Sequence, residues 1–501
     1  MTLFEERIQH YMDAGFPILY LNTFEEGKAL EAVKRAAGSV NKMEILEWDG
    51  TDRICDVCTG AVKYDTSIYS LANVLDDRLS YTGPQVMVLK NIDTFMDDPS
   101  VMARLSKLAV QIHSGELEAT VVIISPVLKI PQELEKYIVV VEMDYLTTEE
   151  IDEIVRRFIQ EQGITVSDKF YEKLVNALKG MTEFEIENVL NLACAMKHEL
   201  TNTEIGLIFD QKQQMIKKAG ILEMIQQKEA ITDIGGLENL KSWLNRKKKV
   251  FSNLDEAKKF GVDMPKGVLI AGIPGCGKSL SAKATASLFE LPLLRLDMGR
   301  LLGKYVGESE ANMRKAIRLA EATSPCVLWI DELEKAFAGI GGDGSGAEVT
   351  TRLFGSFLTW LQEKESPVFV VATANDITKL PPELLRKGRF DEIFYVGLPK
   401  KEERRKIFEI HIGKRRKKDL PAIQQRMEEL LRRTEGYSGA DIEGVVRESV
   451  ELAYANSKDR LTADDVIQAI NNTHSLSEIL EEPIKKMTKE YETRKFKNAS
   501  A

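Results

Sequence analysis

The feature that most constrains this 501-residue chain is a glycine-rich segment at residues 272–279, which reads GIPGCGKS. The segment matches G-x-x-x-x-G-K-[ST], the pattern of a phosphate-binding loop. An apolar run at 267–271 predicts a strand that enters the loop, and residues 280–286 predict a helix that leaves it. Glycines let backbone N–H groups converge on phosphate oxygens, and the helix N-terminus adds its positive end. The segment therefore predicts a nucleotide site at the edge of an α/β sheet.

The side chains of this loop predict which ligands it takes. Lys278 would neutralise the β- and γ-phosphates of ATP, and Ser279 would hold Mg²⁺. Cys276 lies at a helix N-terminus, where the pKa of a thiol tends to fall, so we expect its oxidation to obstruct the nucleotide. The loop residues expected to bind the nucleotide are Pro274, Gly275, Cys276, Gly277, Lys278, Ser279 and Leu280.

Two later apolar runs end in polar side chains that fit the same site. The run at 327–330 ends in Asp331 and Glu332. Asp331 would complete the Mg²⁺ site, and Glu332 would orient and polarise the attacking water. An acidic cap that opens the next helix is the alternative, but the preceding phosphate loop favours a catalytic pair. The run at 368–374 ends in Asn375, whose amide would hold the water against the γ-phosphate. Together these residues predict ATP hydrolysis.

A loop at residues 384–391, which reads LLRKGRFD, presents arginines. An arginine held toward a γ-phosphate stabilises the charge of the transition state, although surface arginines are usually only solvated.

In combination, these motifs resemble the AAA clade of the AAA+ ATPases from about Ile231 to His474. The resemblance implies that Ile234 and Gly235 lie in the adenine pocket, and that Gly439 and Ala440 begin the lid helix near the base and ribose. It also implies a homo-oligomer, expected as a hexameric ring or spiral, in which Arg389 acts on the neighbouring subunit's nucleotide. Many relatives carry a second arginine three residues later, where this chain has Glu392. Arg389 is therefore the main candidate for the arginine finger.

Two further loops bear on what the oligomer would act on. Residues 303–308, GKYVGE, resemble the first pore loop of hexameric relatives, in which Tyr305 and Val306 would grip an extended polypeptide. A helix-capping loop with an incidental tyrosine is the alternative. Residues 339–346 are too rich in glycine for a regular element. They fit either a second pore loop or a disordered connector.

The N-terminal half repeats parts of the C-terminal half at a nearly fixed offset. Residues 21–30 align with 271–280, and 129–134 align with 379–384, both at an offset of 250 (271 − 21 and 379 − 129). Residues 180–189 align with 436–445 at an offset of 256 (436 − 180). The chain is therefore predicted to contain two tandem AAA-type modules.

The first module is predicted to be catalytically inactive. Ala29 aligns with Ser279, and Glu25 and Glu26 would repel phosphates. The predicted strand at 86–89 ends in Lys90 and Asn91 rather than in two carboxylates, and Ser125 aligns with Asn375. A structural or partner-binding module fits these changes better than a nucleotide site.

The predicted fold class is α/β, a P-loop parallel sheet flanked by helices with an α-helical lid, preceded by a degenerate AAA-like α/β module with its own helical lid. The predicted segments are the degenerate module at 1–145, its lid-like subdomain at 146–215, a linker at 216–230, the large ATPase subdomain at 231–398, the AAA+ lid at 399–474 and a charged tail at 475–501. The tail is expected to be an exposed helix or a partly disordered end.

Composition excludes several classes of protein. The chain is 44% hydrophobic and 29% charged, as in globular proteins. No apolar run approaches 18 residues and no basic segment opens the chain, so we expect neither a membrane span nor a signal peptide. A net charge of −10 makes nucleic acid an unfavoured partner. Five cysteines suggest no disulfide framework, so we expect a cytoplasmic protein, or a stromal one if it is plastid-encoded.

Three functions fit the sequence. The first is a motor that threads a polypeptide client through a central pore, and the aromatic loop and acidic balance favour it. The second is a loader-like or helicase-like ATPase that acts on nucleic acid. The third is a scaffold that uses ATP only to assemble. The two-module layout resembles the AAA proteins called hypothetical chloroplast reading frame 46, a resemblance that implies no particular client.

Overall fold

The computed structural model describes residues 3–38, 43–48, 53–65, 70–164, 166–197, 202–218, 220–226, 229–301, 308–336 and 345–501. The chain divides into two compact units, Met1–Tyr145 and Leu146–Ala501. The structural statements below concern the described residues of each unit.

The first unit is a mixed sheet with helices on both faces. Its strands run in the order β4-β3-β2-β5-β6-β1-β7, and β3 and β4 form an antiparallel hairpin at one edge. Its elements are α1 (Leu3–Asp13), β1 (Ile18–Asn22), α2 (Glu26–Gly38), β2 (Glu44–Trp48), β3 (Arg53–Asp56), β4 (Val62–Asp65), α3 (Leu71–Ser80), β5 (Gln85–Lys90), α4 (Pro99–His113), β6 (Ala119–Ser125) and β7 (Ile138–Glu142).

Both faces of this sheet are apolar because its central strands are continuous hydrophobic runs. Successive side chains of a strand point to opposite faces. Ile18 and Tyr20 accordingly belong to one buried core, whereas Leu19 and Leu21 belong to the other. The helices cover both cores, and the strand ends are left to carry polar side chains.

The second unit begins with a helical subdomain. Its helices α5 (Thr148–Gln162), α6 (Asp168–Leu178), α7 (Glu183–Lys197) and α8 (Asn202–Lys218) pack around one apolar core. Thr147 and Glu150 form a reciprocal capping box at the start of α5, and Gly163 ends that helix at a φ of 65°. Reciprocal caps satisfy backbone N–H groups that lack partners at a helix start.

A second sheet follows, with the strand order β14-β13-β9-β12-β11-β10-β8. The elements before the lid are β8 (Leu222–Ile225), α9 (Glu238–Ser252), α10 (Leu254–Lys259), β9 (Gly267–Gly272), α11 (Lys278–Phe289), β10 (Leu293–Leu296), α12 (Met298–Leu301), α13 (Glu308–Ala322), β11 (Cys326–Ile330), α14 (Leu333–Ala336), α15 (Ser345–Glu363), β12 (Val368–Ala374) and β13 (Glu392–Val396). The lid helices are α16 (Lys401–Arg416), α17 (Leu420–Gln424), α18 (Met427–Arg433), α19 (Gly439–Ala455) and α20 (Ala463–Asn472). The chain continues with α21 (Leu476–Ile479), α22 (Glu481–Thr493) and β14 (Lys497–Asn498). The lid helices enclose a separate apolar core.

The two sheets share a topology. The order β2-β5-β6-β1-β7 in the first matches β10-β11-β12-β9-β13 in the second. Their registers match as well, since Ile18 pairs with Val121 and Val268 pairs with Val371. Both residues shift by 250 (268 − 18 and 371 − 121), which is the offset of the sequence repeats. The predicted α/β fold class, with a module ahead of the ATPase sheet, is thus confirmed.

Two segments differ from their predicted character. The expected linker at 216–230 contains the end of α8 and then β8, which pairs antiparallel with β10 at the edge of the ATPase sheet. The charged tail at 475–501 contains a helix, α22, as one of the two expectations had it, but this helix is not free, since Tyr491 and Ala499 are buried and β14 pairs with β13. Both segments are rich in charge but place a few apolar side chains against the sheet, and these decide their structure. Within the described residues, no helix is long and apolar enough to cross a bilayer.

Candidate nucleotide site

The phosphate loop depends on glycines where neighbouring backbone comes close. Gly272 ends β9 at a φ of 151°, and a Cβ there would lie 2.0 Å from the carbonyl oxygen of Val396. Gly275 has a φ of 73°, and its Cβ would lie 3.0 Å from the Cβ of Ala440 at the start of the lid helix α19. Gly277, at a φ of 91°, directly precedes α11. The loop thus fits between sheet and lid only with these residues.

The loop opens onto a cavity of about 410 Å³ between the ATPase sheet and the lid. Fourteen of the predicted residues line it: Ile234, Gly235, Pro274, Gly275, Cys276, Gly277, Lys278, Ser279, Leu280, Asp331, Glu332, Asn375, Gly439 and Ala440. Six further residues line it that the sequence analysis did not single out: Asp233, Thr373, Ile407, Ile410, His411 and Glu443.

Lys278 places a buried ammonium group, which suits an anionic ligand, in the wall of this cavity. It is only 6% exposed, and its Nζ donates to the carbonyl oxygens of Gly272 at 2.9 Å and Ile273 at 2.8 Å. Burial lowers the pKa of Lys278 to about 8, although nearby acidic groups oppose the shift. No described carboxylate forms an ion pair with this buried ammonium, and a phosphate would stabilise it, so the residue fits a nucleoside triphosphate.

Two hydroxyl groups donate hydrogen bonds to one carboxylate of the site. Asp331 Oδ1 accepts hydrogen bonds from Ser279 Oγ at 3.2 Å and from Thr373 Oγ1 at 2.6 Å. Hydroxyl and carboxylate oxygens are the ligands that Mg²⁺ takes beside substrate phosphates, so Ser279 and Asp331 fit the predicted ion. Thr373 was missed from the sequence, where its signal was a lone hydroxyl in an otherwise apolar strand.

The second carboxylate is held by the neighbouring strand. Glu332 has a φ of 50°, and its backbone N–H donates to Thr373 Oγ1 at 3.1 Å. Its Oε1 accepts from Asn375 Nδ2 at 3.3 Å, and its Oε2 pairs with Lys335 at 2.7 Å. The backbone N–H of Asn375 donates in turn to buried Glu334 at 3.1 Å. The predicted catalytic pair is therefore brought together, with Glu334 as an additional support.

The base side of the cavity is built from the loop before α9 and from the lid. A Cβ on Gly235 would lie 2.5 Å from Ile407 Cγ1, so only glycine allows this approach. His411 follows one turn later on the same face of α16, and burial lowers its pKa. Its Nδ1 lies 3.8 Å from Glu443. The spacing of residues 407, 410 and 411 was the available sequence signal for this wall.

The expected fall in the pKa of the Cys276 thiol was wrong. Burial raises the pKa of its thiol to about 12, while Lys278 and a hydrogen bond from Gly439 oppose the shift. A thiol in this state is not activated for oxidation, because the thiolate is the reactive species.

Arg389 does not line the cavity of its own chain, as far as the described residues show. Its Nη1 donates to the carbonyl oxygen of Glu383 at 2.9 Å. Glu392, which replaces the second arginine of many relatives, opens β13 and pairs with Lys497. Tyr305, Val306 and most of the glycine-rich segment at 339–346 lie outside the described residues.

The first unit has a lysine and an asparagine where the second unit has its two carboxylates, Asp331 and Glu332. Asn91 has a φ of 50°, as Glu332 does, and follows Lys90 at the end of β5. Lys90 forms ion pairs with Glu47 and, at 3.9 Å, with Glu26. Glu26 opens α2 and also accepts from Asn91 Nδ2 at 2.9 Å. A carboxylate therefore stands at the helix N-terminus where a phosphate would bind in an intact module.

Comparison with known proteins agrees with this architecture. Residues 268–398 match the model of the ATPase family associated with various cellular activities (AAA), and 426–468 match the AAA+ lid domain. Residues 4–143 and 149–219 match the N-terminal and second domains of SpoVK-like AAA ATPases. Fold and site thus define an AAA+ ATPase.

Full-length similarity narrows this class. The chain is 38% identical over 471 residues to the uncharacterized AAA domain-containing protein ycf46 of Guillardia theta, covering 93% of this chain and 90% of that protein. It is 34% identical to the ycf46 protein of Trieres chinensis, covering 95% and 94%. The cell division cycle protein 48 homolog of Archaeoglobus fulgidus is 36% identical, but over only 51% of this chain and 35% of that protein. The chain belongs to the AAA ATPase family, among its ycf46-like members.

Proposed function

We propose that this chain is an ATP-hydrolysing motor that works as a homo-oligomer, a hexameric ring or spiral, and remodels polypeptides. The observation that carries the ATPase part is the convergence of Lys278, Ser279, Asp331, Glu332 and Asn375 in one cavity. Such a set can bind phosphates, position a water molecule and accept its proton.

The roles follow from the geometry. Lys278 neutralises the phosphates, and Glu332, fixed by Asn375 and Thr373, orients the attacking water. Ser279 and Asp331 would hold Mg²⁺, which would supply positive charge to neutralise the phosphates. Ile234 and Gly235 with Gly439 and Ala440 enclose the base and ribose, so that closure of the lid accompanies nucleotide binding.

Oligomer formation is part of the proposal because the site lacks an arginine from its own chain. Among the described residues, no arginine lines the cavity, and Arg389 donates a hydrogen bond to the carbonyl oxygen of Glu383 instead. We propose that Arg389 reaches the γ-phosphate of a neighbouring subunit. Such a finger supplies about 10³- to 10⁵-fold in rate in phosphoryl-transfer enzymes.

The proposed client is a polypeptide gripped by Tyr305 and Val306, in the cytoplasm or in the plastid stroma. The aromatic residue in the segment GKYVGE at 303–308 and the net charge of −10 support a protein client over nucleic acid. A nucleic-acid ATPase and an assembly scaffold are the competing functions. Stimulation of turnover by unfolded protein, lost in Tyr305→Ala while basal turnover persists, favours the polypeptide. Stimulation by DNA or RNA alone contradicts it.

Glu332→Gln tests the hydrolytic mechanism. The amide cannot accept the proton of the attacking water, so turnover should fall by about 10²- to 10⁴-fold. ATP binding should remain, because the phosphate loop is untouched, and trapped ATP should stabilise the oligomer in size-exclusion chromatography. The matched control is Glu363→Gln at the end of α15, which should behave as wild type. Unchanged turnover in Glu332→Gln contradicts the mechanism.

A further inference from the structure

The loop that carries Arg389 is held by a residue at the root of the phosphate-loop strand. Lys266 lies directly before β9, and its backbone N–H donates to both carboxylate oxygens of Asp391, at 3.2 and 3.3 Å. Its Nζ donates to the carbonyl oxygen of Gly388 at 2.7 Å. One residue thus contacts the loop on both sides of Arg389.

Further contacts fix the same short stretch. Asp391 donates its backbone N–H to the carbonyl oxygen of Gly267 at 2.9 Å, and its carboxylate pairs with Lys247 on α9 at 2.9 Å. Gly388 has a φ of 98°, a conformation that favours glycine. Phe390 is buried. The backbone before and after Arg389 is therefore fixed, and its guanidinium is hydrogen-bonded to the carbonyl oxygen of Glu383 in the same loop.

Lys266 also joins this loop to two other elements of its own unit, β9 and α15. It is continuous with β9, which runs directly into the phosphate loop. Its Nζ donates a second hydrogen bond, at 2.6 Å, to the carbonyl oxygen of Gln362 in the last turn of α15. An ammonium suits this position because it offers three donors to carbonyls from different elements.

We propose that Lys266 is a positioning residue for Arg389, which links the phosphate loop of one subunit to the finger that this subunit offers to its neighbour. The inference rests on the proposed function, since it requires Arg389 to act across a subunit boundary. Lys266 is not among the described residues that line the nucleotide cavity. It acts by holding Gly388 and Asp391, and hence the direction in which Arg389 leaves the loop.

The first test compares Lys266→Met with Lys259→Met, a control at the exposed end of α10. Methionine keeps the length of the side chain but removes the donors to Gly388 and Gln362. Turnover of the Lys266→Met oligomer should fall at least about tenfold, while the affinity for a fluorescent ATP analogue stays within about twofold of wild type. The control should match wild type in both. Wild-type turnover in Lys266→Met overturns the inference.

Mixed oligomers separate positioning from a general structural role. A Lys266→Met chain keeps an intact pocket, whereas a Lys278→Ala chain keeps an intact finger loop. When inactive Lys278→Ala chains are mixed with Lys266→Met chains, turnover should exceed the sum of the two separate preparations. A Lys266 that only stabilised its own subunit would give no such gain, and a strictly additive result overturns the inference.

Arg389→Ala distinguishes failure of the inference from failure of the proposed function. If Arg389→Ala retains full turnover, the finger in trans is wrong, and the role of Lys266 falls with it. If Arg389→Ala loses turnover and is rescued by Lys278→Ala chains, but Lys266→Met is normal, only the inference is overturned. Should Lys266→Met fail to fold, Lys247→Met loosens the same loop through Asp391 and should give the same rescue, and its absence overturns the inference.

Discussion

At the residue scale, Lys278 shows how the site is prepared for its ligand. Its ammonium is buried and, within the described part of the chain, is bonded to two neutral carbonyls, those of Gly272 and Ile273. Burial disfavours the charged form, which is why the pKa of Lys278 falls to about 8. Phosphates would reverse this preference, because a nearby opposite charge favours the protonated form. We therefore expect nucleotide binding to be coupled to proton uptake at this residue.

This coupling predicts the pH dependence of ATP binding. Below a pH of about 8, Lys278 is already protonated in the free protein, so affinity should be constant. Above it, the free protein loses the proton that the bound state needs, and affinity should fall by up to about tenfold per pH unit. Calorimetry at pH 7 and pH 9, in buffers of different ionisation enthalpy, should detect proton uptake only at pH 9.

The matched variant for this prediction is Lys278→Arg, whose guanidinium stays protonated throughout the range. If it binds, its affinity should be flat from pH 7 to pH 9. The linked effect on folding has the opposite direction. Because the pKa of Lys278 is lower in the folded chain, ligand-free stability should rise between about pH 8 and the unfolded pKa of 10.5. Equal ATP affinity of the wild type at pH 7 and pH 9 contradicts the assignment.

The residues of the phosphate loop could be predicted because their pattern is local. Thr373 and His411 could not, since one depends on the register of two strands and the other on the closure of the lid. Cys276 failed for a different reason. A helix N-terminus contributes only about 0.3–1 kcal/mol to a nearby charge, whereas each pKa unit corresponds to about 1.4 kcal/mol. Burial of the thiol outweighs the helix, as the rise from 9.0 to about 12 shows.

At the scale of elements, α22 and β14, the last two elements of the chain, are attached to the ATPase sheet. The ring of Tyr491 on α22 stacks on Tyr395 of β13, with ring centroids 4.2 Å apart. Ala499 donates its N–H to the carbonyl oxygen of Tyr395 at 2.8 Å. The carbonyl oxygen of Ala499 accepts from Asn239 and Leu240, at 3.0 and 3.2 Å, at the start of α9. This segment therefore joins β13 to the first turn of α9.

Removing the buried ring should weaken the unit considerably. Tyr491→Ala deletes a side chain that is 2% exposed, and large-to-small changes of this kind cost about 3–5 kcal/mol. The comparison is Tyr454→Ala, in which an 86% exposed ring is lost and stability should stay within about 0.5 kcal/mol. Urea denaturation of both variants measures the difference. Equal midpoints would mean that α22 is not part of the folded unit.

The sequence contained a weak signal for this element. Ile484 and Tyr491 are the buried residues of α22 and lie seven positions apart, on one face of a helix. Charged residues around these two dominate the composition, and such a composition favours an exposed tail. The strand β8 was missed in the same way, because a four-residue strand leaves little periodicity to read. Short edge elements are decided by the sheet that they join rather than by local propensity.

At the scale of the whole molecule, the first unit has what a domain needs. Its sheet carries an apolar core on each face, one under α1 and α2 and one under α3 and α4. We expect a fragment of residues 1–145 to unfold cooperatively in urea and to bind no fluorescent ATP analogue, because Glu26 occupies the helix N-terminus. The fragment 146–501 should bind it, and the full chain should bind one nucleotide. Two nucleotides bound per full chain would contradict the inference that Glu26 blocks phosphate binding in the first unit.

The tandem layout was predictable because sequence repeats and strand registers share the offset of 250. The β3–β4 hairpin was not, since the second sheet has the single strand β8 at the corresponding edge. Repeats preserve the strands that form a common core, whereas edges are free to diverge. The sequence therefore revealed the number of modules and their central topology but not how each sheet ends.

The position of β8 bears on how this protein is divided for study. Its four residues precede the matched ATPase region, which begins at 268, yet they supply the outer strand beside β10. A fragment cut at 231 or 268 would leave Leu293–Leu296 paired with β11 but without its partner on the outer side. Uncovered sheet edges recruit strands from other molecules. Self-association of such a fragment would then reflect a severed strand rather than the native assembly, and measurements of oligomer size belong on chains that keep residues 222–225.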